Sequence, residues 1–244
     1  MRMKLSKWAA AFEPLARKSF RHPTADNIHD LRVLTRRIRT DLWLVPKSSR
    51  SKSIRRSRIE LAHLADVLGK QRKYDVALVD AAQYHKDAKD LKSRLTKARR
   101  EVRKSLRDRK IYSADVEMAV RDMKRMRPAV FVPRIVTLQR SLSAAAEHLP
   151  RSNEARHRLR IQFKKARYVL DAFGHKDRIL KELQEHLGRW HDLITLASLT
   201  STDRILKAAQ RREWTLAENL IRPESRRAVK ALSNVIRRLG SSHG

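Results

Sequence analysis

Apolar residues return every three or four positions along nearly the whole chain, and this spacing predicts helices over 3–20, 25–45, 51–68, 74–109, 113–126, 133–149, 153–173, 176–188, 192–220 and 224–239. Within 25–45, a turn of about 100° per residue gathers Leu31, Leu34, Ile38, Leu42 and Val45 on one side. Leu159, Phe163, Ala166 and Leu170 do the same within 153–173. These sides are the expected core. The five glycines and seven prolines mostly fall between periodic stretches and offer little to a sheet, so the predicted fold class is all-α. Thr24 and Ser152 are placed to cap the helices they precede, Pro46 to close the first of these and Gly174 to end the other. A break is expected near Gly69.

The two capped helices are copies of one another. Ile28-His29-Asp30-Leu31-Arg32-Val33-Leu34-Thr35-Arg36-Arg37-Ile38-Arg39 returns 128 residues later as Arg156-His157-Arg158-Leu159-Arg160-Ile161-Gln162-Phe163-Lys164-Lys165-Ala166-Arg167. Opposite the core side, His29, Arg32 and Arg36 line a second face, flanked by Arg37 and Arg39. His157, Arg160 and Lys164 form its counterpart, flanked by Lys165 and Arg167, and both stripes are expected to face a ligand or water. Cations one turn apart repel, at a cost of a few tenths of a kcal/mol per pair. Repeating so costly a pattern on two helices points to an anion lying against it. A bound phosphate would favour the protonated form of His29 and His157, whereas the nearby arginines oppose it, so affinity is expected to depend on pH.

Charge enlarges this picture. Fifty-eight Lys and Arg against twenty-six Asp and Glu leave a formal net charge of +32, far above the roughly 2 to 8 that keeps a small domain soluble. A chain that repels itself this strongly is expected to meet a dense polyanion. The cysteine count of zero removes disulfides and thiolate metal sites. No apolar run approaches the roughly 20 residues needed to cross a bilayer, and Glu13-Pro14 interrupts Trp8-Ala9-Ala10-Ala11-Phe12, so residues 3–20 read as a core helix rather than an export signal. Cytoplasmic residence is the expectation. The junction between halves, 1–127 and 128–244, is placed at Met126–Pro133, too short and apolar for a flexible tether.

The duplicated motif resembles the CHAD family, the conserved histidine alpha-helical domain. Its characteristic helix reads approximately His-x-Leu-Arg-Val/Ile followed by a cluster of Lys and Arg, as at His29–Arg39 and His157–Arg167. Further landmarks follow each copy, Leu68-Gly69-Lys70-Gln71-Arg72-Lys73-Tyr74-Asp75-Val76 and Leu183-Gln184-Glu185-His186-Leu187-Gly188-Arg189-Trp190-His191-Asp192. The resemblance spans essentially the whole chain as a single domain of this type. It implies two antiparallel four-helix bundles related by an internal pseudo-two-fold, with a basic surface or channel that binds inorganic polyphosphate, and association with polyphosphate granules. The implied contacts are His29, Arg32, Arg36, Arg37, Arg39, His157, Arg160, Lys164, Lys165 and Arg167, with Arg72 and Arg189 approaching from the turns after the third helices and Asp75 and Asp192 orienting cations. Two positions depart from the pattern: Lys73 stands where the family usually has Asp, and His191 where it often has Asn.

Polyphosphate suits such a face because successive phosphates meet successive helical cations, with Arg gripping two oxygens at once. Other runs, Arg50–Arg58 and Lys97–Arg107, are expected to steer encounter more than fix a pose. Enzymatic readings find no support: the chain has no phosphate loop, zinc-protease pair, nucleophile elbow or dinucleotide fingerprint. No cofactor is expected, and polyphosphate-metabolising proteins are candidate partners. Nucleic acid is the alternative polyanion, although the stripes lack the interleaved aromatics and the Asn and Gln that base recognition uses.

Overall fold

The computed structural model describes residues 5–107, 109–175, 179–200 and 203–241. Among them are α1 (Leu5–Arg21), α2 (Ala25–Leu44), α3 (Lys52–Gln83), α4 (Lys89–Ser105), α5 (Arg109–Lys124), a 3-10 turn (Pro128–Phe131), α6 (Val132–Glu147), α7 (Asn153–Ala172), α8 (Ile179–Leu199) and α9 (Arg204–Gly240), and no strand. The fold class is all-α, as the periodicity predicts. Helices α1–α5 pack on one another, as do α6–α9. The halves meet where α3 lies against α8 and α2 lies against α7 and α6.

Local chemistry sets the boundaries of the duplicated helices. The Asn27 amide donates to Thr24 Oγ1 at 3.3 Å and the Ala155 amide to Ser152 Oγ at 3.2 Å, satisfying N-terminal groups that the helices leave open. At the far end of α7, Gly174 takes φ +86°, a left-handed conformation that suits glycine. Leu31, Ile38, Leu42, Phe163, Ala166 and Leu170 are fully buried, each of the larger side chains contributing roughly 1.5–3 kcal/mol. Trp8, Phe12 and Ala16 of α1 join the same core. Phe131 also enters it, so the junction between halves is packed.

Several predicted boundaries are corrected. Helix α3 runs unbroken through Gly69 to Gln83, whereas the sequence reading ends one helix at 68 and starts another at 74. A mid-helix glycine costs only about 1 kcal/mol, and Leu61, Leu64, Leu68, Gln71 and Asp75 are buried in continuous helical register across it. The break comes instead at 84–88, where His85 adopts φ 51° and the Lys89 amide donates to Asp87. Likewise, α8 continues to Leu199 through the expected gap at 189–191, and α9 passes through Pro223 with Ala217, Ile221, Ala228 and Leu232 buried on either side.

A small second core joins the two long hairpins. Ala77, Ala81 and Leu91 of α3 and α4 pack with Leu193, Leu196 and Leu206 of α8 and α9. Beside it, Lys86 pairs with Asp203 at 2.5 Å and Arg189 with Asp80. This clasp fixes α3 opposite α8.

Candidate anion-binding site

Helices α2, α3, α7 and α8 line a half-open cavity of about 550 Å³. Helical periodicity decides what enters it. His29, Arg32, Arg36 and Arg37 recur along α2, and Arg160, Lys164 and Arg167 along α7. On α3 the spacing brings Gly69, Arg72, Lys73 and Val76 to the wall, and on α8 Lys181, Gln184, Gly188, His191 and Asp192. Both glycines leave the wall open, since a Cβ at either would meet no atom within 4 Å. Nine Lys and Arg side chains line the space against two carboxylates, Glu185 and Asp192.

Eight of the twelve candidate cations and imidazoles therefore surround one cavity: His29, Arg32, Arg36, Arg37, Arg72, Arg160, Lys164 and Arg167. The two stripes face each other across the join rather than open water. Arg160 is accordingly buried, and Arg32 and Lys164 are partly so, which fits the ligand side of the expectation that these stripes face a ligand or water. Arg167 donates to Gln184 Oε1 at 3.0 Å, and Gln184 donates in turn to the Phe163 carbonyl, tying the cation to α8. Arg37 forms the outer wall, 3.6 Å from Asp171 and over the Trp8 ring at 5.5 Å.

The other four candidates lie elsewhere. His157 stands beside the cavity, its ring centroid 4.9 Å from that of His191. Arg39 and Lys165 belong to a separate group near Trp43, with Lys165 Nζ 4.8 Å from the ring centroid. Arg189 pairs with Asp80 and donates to Gln83 Oε1 at 2.8 Å, so its guanidinium fastens α8 to α3 instead of lining the wall. As for the expected orienting carboxylates, Asp192 is in the cavity. Asp75 is buried outside its lining, accepting from Gln71 at 3.4 Å and lying 3.6 Å from Arg99.

The electrostatics are those of concentrated, poorly neutralised positive charge. Burial, followed by the charges of Arg160, Arg36 and Arg32, brings the Lys164 ammonium down to about 6. Burial and Arg36 and Arg160 lower Arg32 to about 9, and burial opposed by Asp192 leaves Arg160 at about 10. Both guanidiniums stay charged at neutral pH. The buried Arg160 Nε has no hydrogen-bond partner among the described residues. Burial and Arg72 lower His29, while burial and His191 lower His157. The neighbouring Asp192, 3.7 Å away, pulls His191 up, but burial, Arg160 and Lys164 outweigh it. Burial would raise Asp192; the adjacent imidazole and the charges of Arg160 and Lys164 hold it below the usual carboxylate value.

Lys73, Lys181 and His191 line the cavity without having been among the candidate contacts. Their signal was present as spacing: 181, 184, 188, 191 and 195 form one face of α8, as do 69, 72, 73 and 76 on α3. Seeing it required knowing that both helices run unbroken through their glycines. Lys73 adds a cation where the family usually supplies a carboxylate.

An N–H-rich pocket of this volume falls in the range of small-ligand sites, but its lining is cationic rather than mainly apolar. It can bind a narrow, highly charged anion. Comparison with curated proteins finds no match, and neither does comparison with solved structures. The family model of the CHAD domain matches residues 1–201, a span that contains α1–α8 and both copies of the duplicated helix, and the chain belongs to the CHAD domain family.

Proposed function

We propose that this protein binds inorganic polyphosphate without transforming it, holding the polymer in the cavity between α2, α3, α7 and α8. The observation that carries this reading is the gathering of nine Lys and Arg around one space with two carboxylates. Leaving buried charges uncompensated costs several kcal/mol, and an anion with regularly spaced oxygens offsets that cost directly. Arg32, Arg36 and Arg72 approach the chain from one half, and Arg160, Lys164 and Arg167 from the other. His29 and His191 add charge-assisted hydrogen bonds once protonated, and His157 supports His191 through their ring contact. Arg189 acts on the site only by holding α8 in place.

Shape favours a single thin polymer. A single polyphosphate chain can follow the cations into this half-open cleft, whereas a duplex, whose grooves alone are about 6–12 Å wide, meets mainly the cations at its rim. Cytoplasmic residence, recruitment to polyphosphate granules and contact with polyphosphate-metabolising proteins follow as parts of the same proposal. No helix of the described residues is long and apolar enough to cross a membrane.

Competition tests the ranking. Labelled long-chain polyphosphate bound to the protein at near-physiological salt is challenged with equal phosphate concentrations of unlabelled polyphosphate, duplex DNA or single-stranded RNA. Unlabelled polyphosphate is expected to displace the label at much the lowest concentration. Displacement by nucleic acid at equal or lower concentration would overturn the assignment.

A further inference from the structure

Arg39 and Lys165, which the cavity does not include, are not isolated. Four half-buried cations from four helices form one group here: Arg134 from α6 and Lys165 from α7 lie over the indole of Trp43, with Arg39 from α2 and Arg58 from α3 as their electrostatic neighbours. Arg134 lies over the ring at 5.5 Å from its centroid, and Lys165 at 4.8 Å. Arg58 is locked to the end of α2, donating to the Leu42 carbonyl at 2.6 Å and the Val45 carbonyl at 2.5 Å. No carboxylate of the described residues stands within ion-pair distance of Arg39, Arg134 or Lys165. These cations repel one another instead. Burial and then Arg134 and Arg39 lower Lys165, and burial and then Arg134 lower Arg58. Burial lowers Arg39, Asp66 opposing it and Arg36 adding to it. Arg36 lines the cavity, so the two cationic groups are electrostatic neighbours.

We propose that the Arg39–Arg58–Arg134–Lys165 cluster around Trp43 is a second anion subsite that takes phosphate groups of the same polyphosphate chain where it leaves the cavity. The inference rests on the cavity reading and extends it. The cations need not contribute equally: Arg58 is already occupied by α2 carbonyls, which leaves Arg39, Arg134 and Lys165 to meet the ligand. The indole supplies a rigid platform that holds Arg134 and Lys165 while their heads remain accessible. A chain engaging both groups gains avidity that a short oligomer confined to the cavity lacks.

The test compares long-chain polyphosphate with tripolyphosphate on four proteins: wild type, Arg134→Gln/Lys165→Gln, Arg134→Lys/Lys165→Arg and Arg32→Gln/Arg160→Gln. The first double variant is expected to bind the long chain about tenfold more weakly and with a shallower salt dependence, while tripolyphosphate binds as to wild type. The charge-retaining variant keeps most of the long-chain affinity, which separates lost charge from damaged packing. Wild-type long-chain affinity and salt dependence in Arg134→Gln/Lys165→Gln would overturn the second subsite. Equal losses for both ligands would overturn its role as an extension used only by longer chains. Wild-type binding by Arg32→Gln/Arg160→Gln would instead reject the cavity itself, so the two failures are distinct.

Discussion

Lys164 shows how a single residue reports on the whole site. With its ammonium brought down to about 6, it is mostly neutral at pH 7.5 in the unliganded protein, and a phosphate chain beside it would restore the charge. Binding should therefore take up protons, and affinity should fall as pH rises above about 6; the lowered His29, His157 and His191 contribute with the same sign. Calorimetric titrations in buffers of different ionisation enthalpy at pH 7.5 will show net proton uptake that Lys164→Met reduces, the histidines supplying the remainder. Zero uptake or proton release would contradict this. Stability follows the linked rule. Between about 6 and the ordinary lysine value, the unfolded chain holds a proton at Lys164 that the folded protein lacks, so this residue makes the unliganded protein more stable as pH rises through that window. Arg189 gives the contrasting case: Arg189→Ala strands the buried Asp80 and should lower unfolding stability by about 3 kcal/mol, while folded protein at low temperature binds polyphosphate with near wild-type affinity. Chemical denaturation and titration measure the two effects separately, and a large affinity loss in folded Arg189→Ala would return this arginine to the anion.

At the level of elements, the legible parts were those whose signal is local. Thr24, Ser152 and Gly174 are boundary residues whose chemistry acts within a few positions, and each does what its type predicts. The buried stripes of α2 and α7 follow directly from 3.6-residue periodicity. Gly69 misled because a local preference was outweighed by burial on both sides of it, and Pro223 because α9 is packed before and after the residue. The open space at Gly69 makes a sharp prediction. Gly69→Ala removes a helix penalty without a clash, so it should raise unfolding stability by about 0.5–1 kcal/mol. A loss of stability on chemical denaturation would mean that the wall there is closed.

The arrangement of the whole molecule explains what the sequence left unseen. Periodicity identifies a cationic face on each copied helix, expected to meet a ligand or water, but not its neighbour, and only the packing of α2 against α7 brings the two faces into one cavity. The same packing leaves Lys165 over Trp43 with Arg39 as its electrostatic neighbour, outside the cavity, and exposes the contributions of Lys73, Lys181 and His191, whose helices come from different halves. The molecule carries a net charge of +32, so outer cations will attract many polyanions, and salt will weaken all such encounters. Selectivity must come from enclosed charge. The most direct measurement is a calorimetric titration of Arg32→Gln/Arg160→Gln with long-chain polyphosphate at near-physiological salt, with helicity verified by circular dichroism. Losing two charge-assisted contacts of about 1.5 kcal/mol each should weaken binding about a hundredfold with helicity retained; wild-type affinity in the folded variant would contradict the cavity as the binding site.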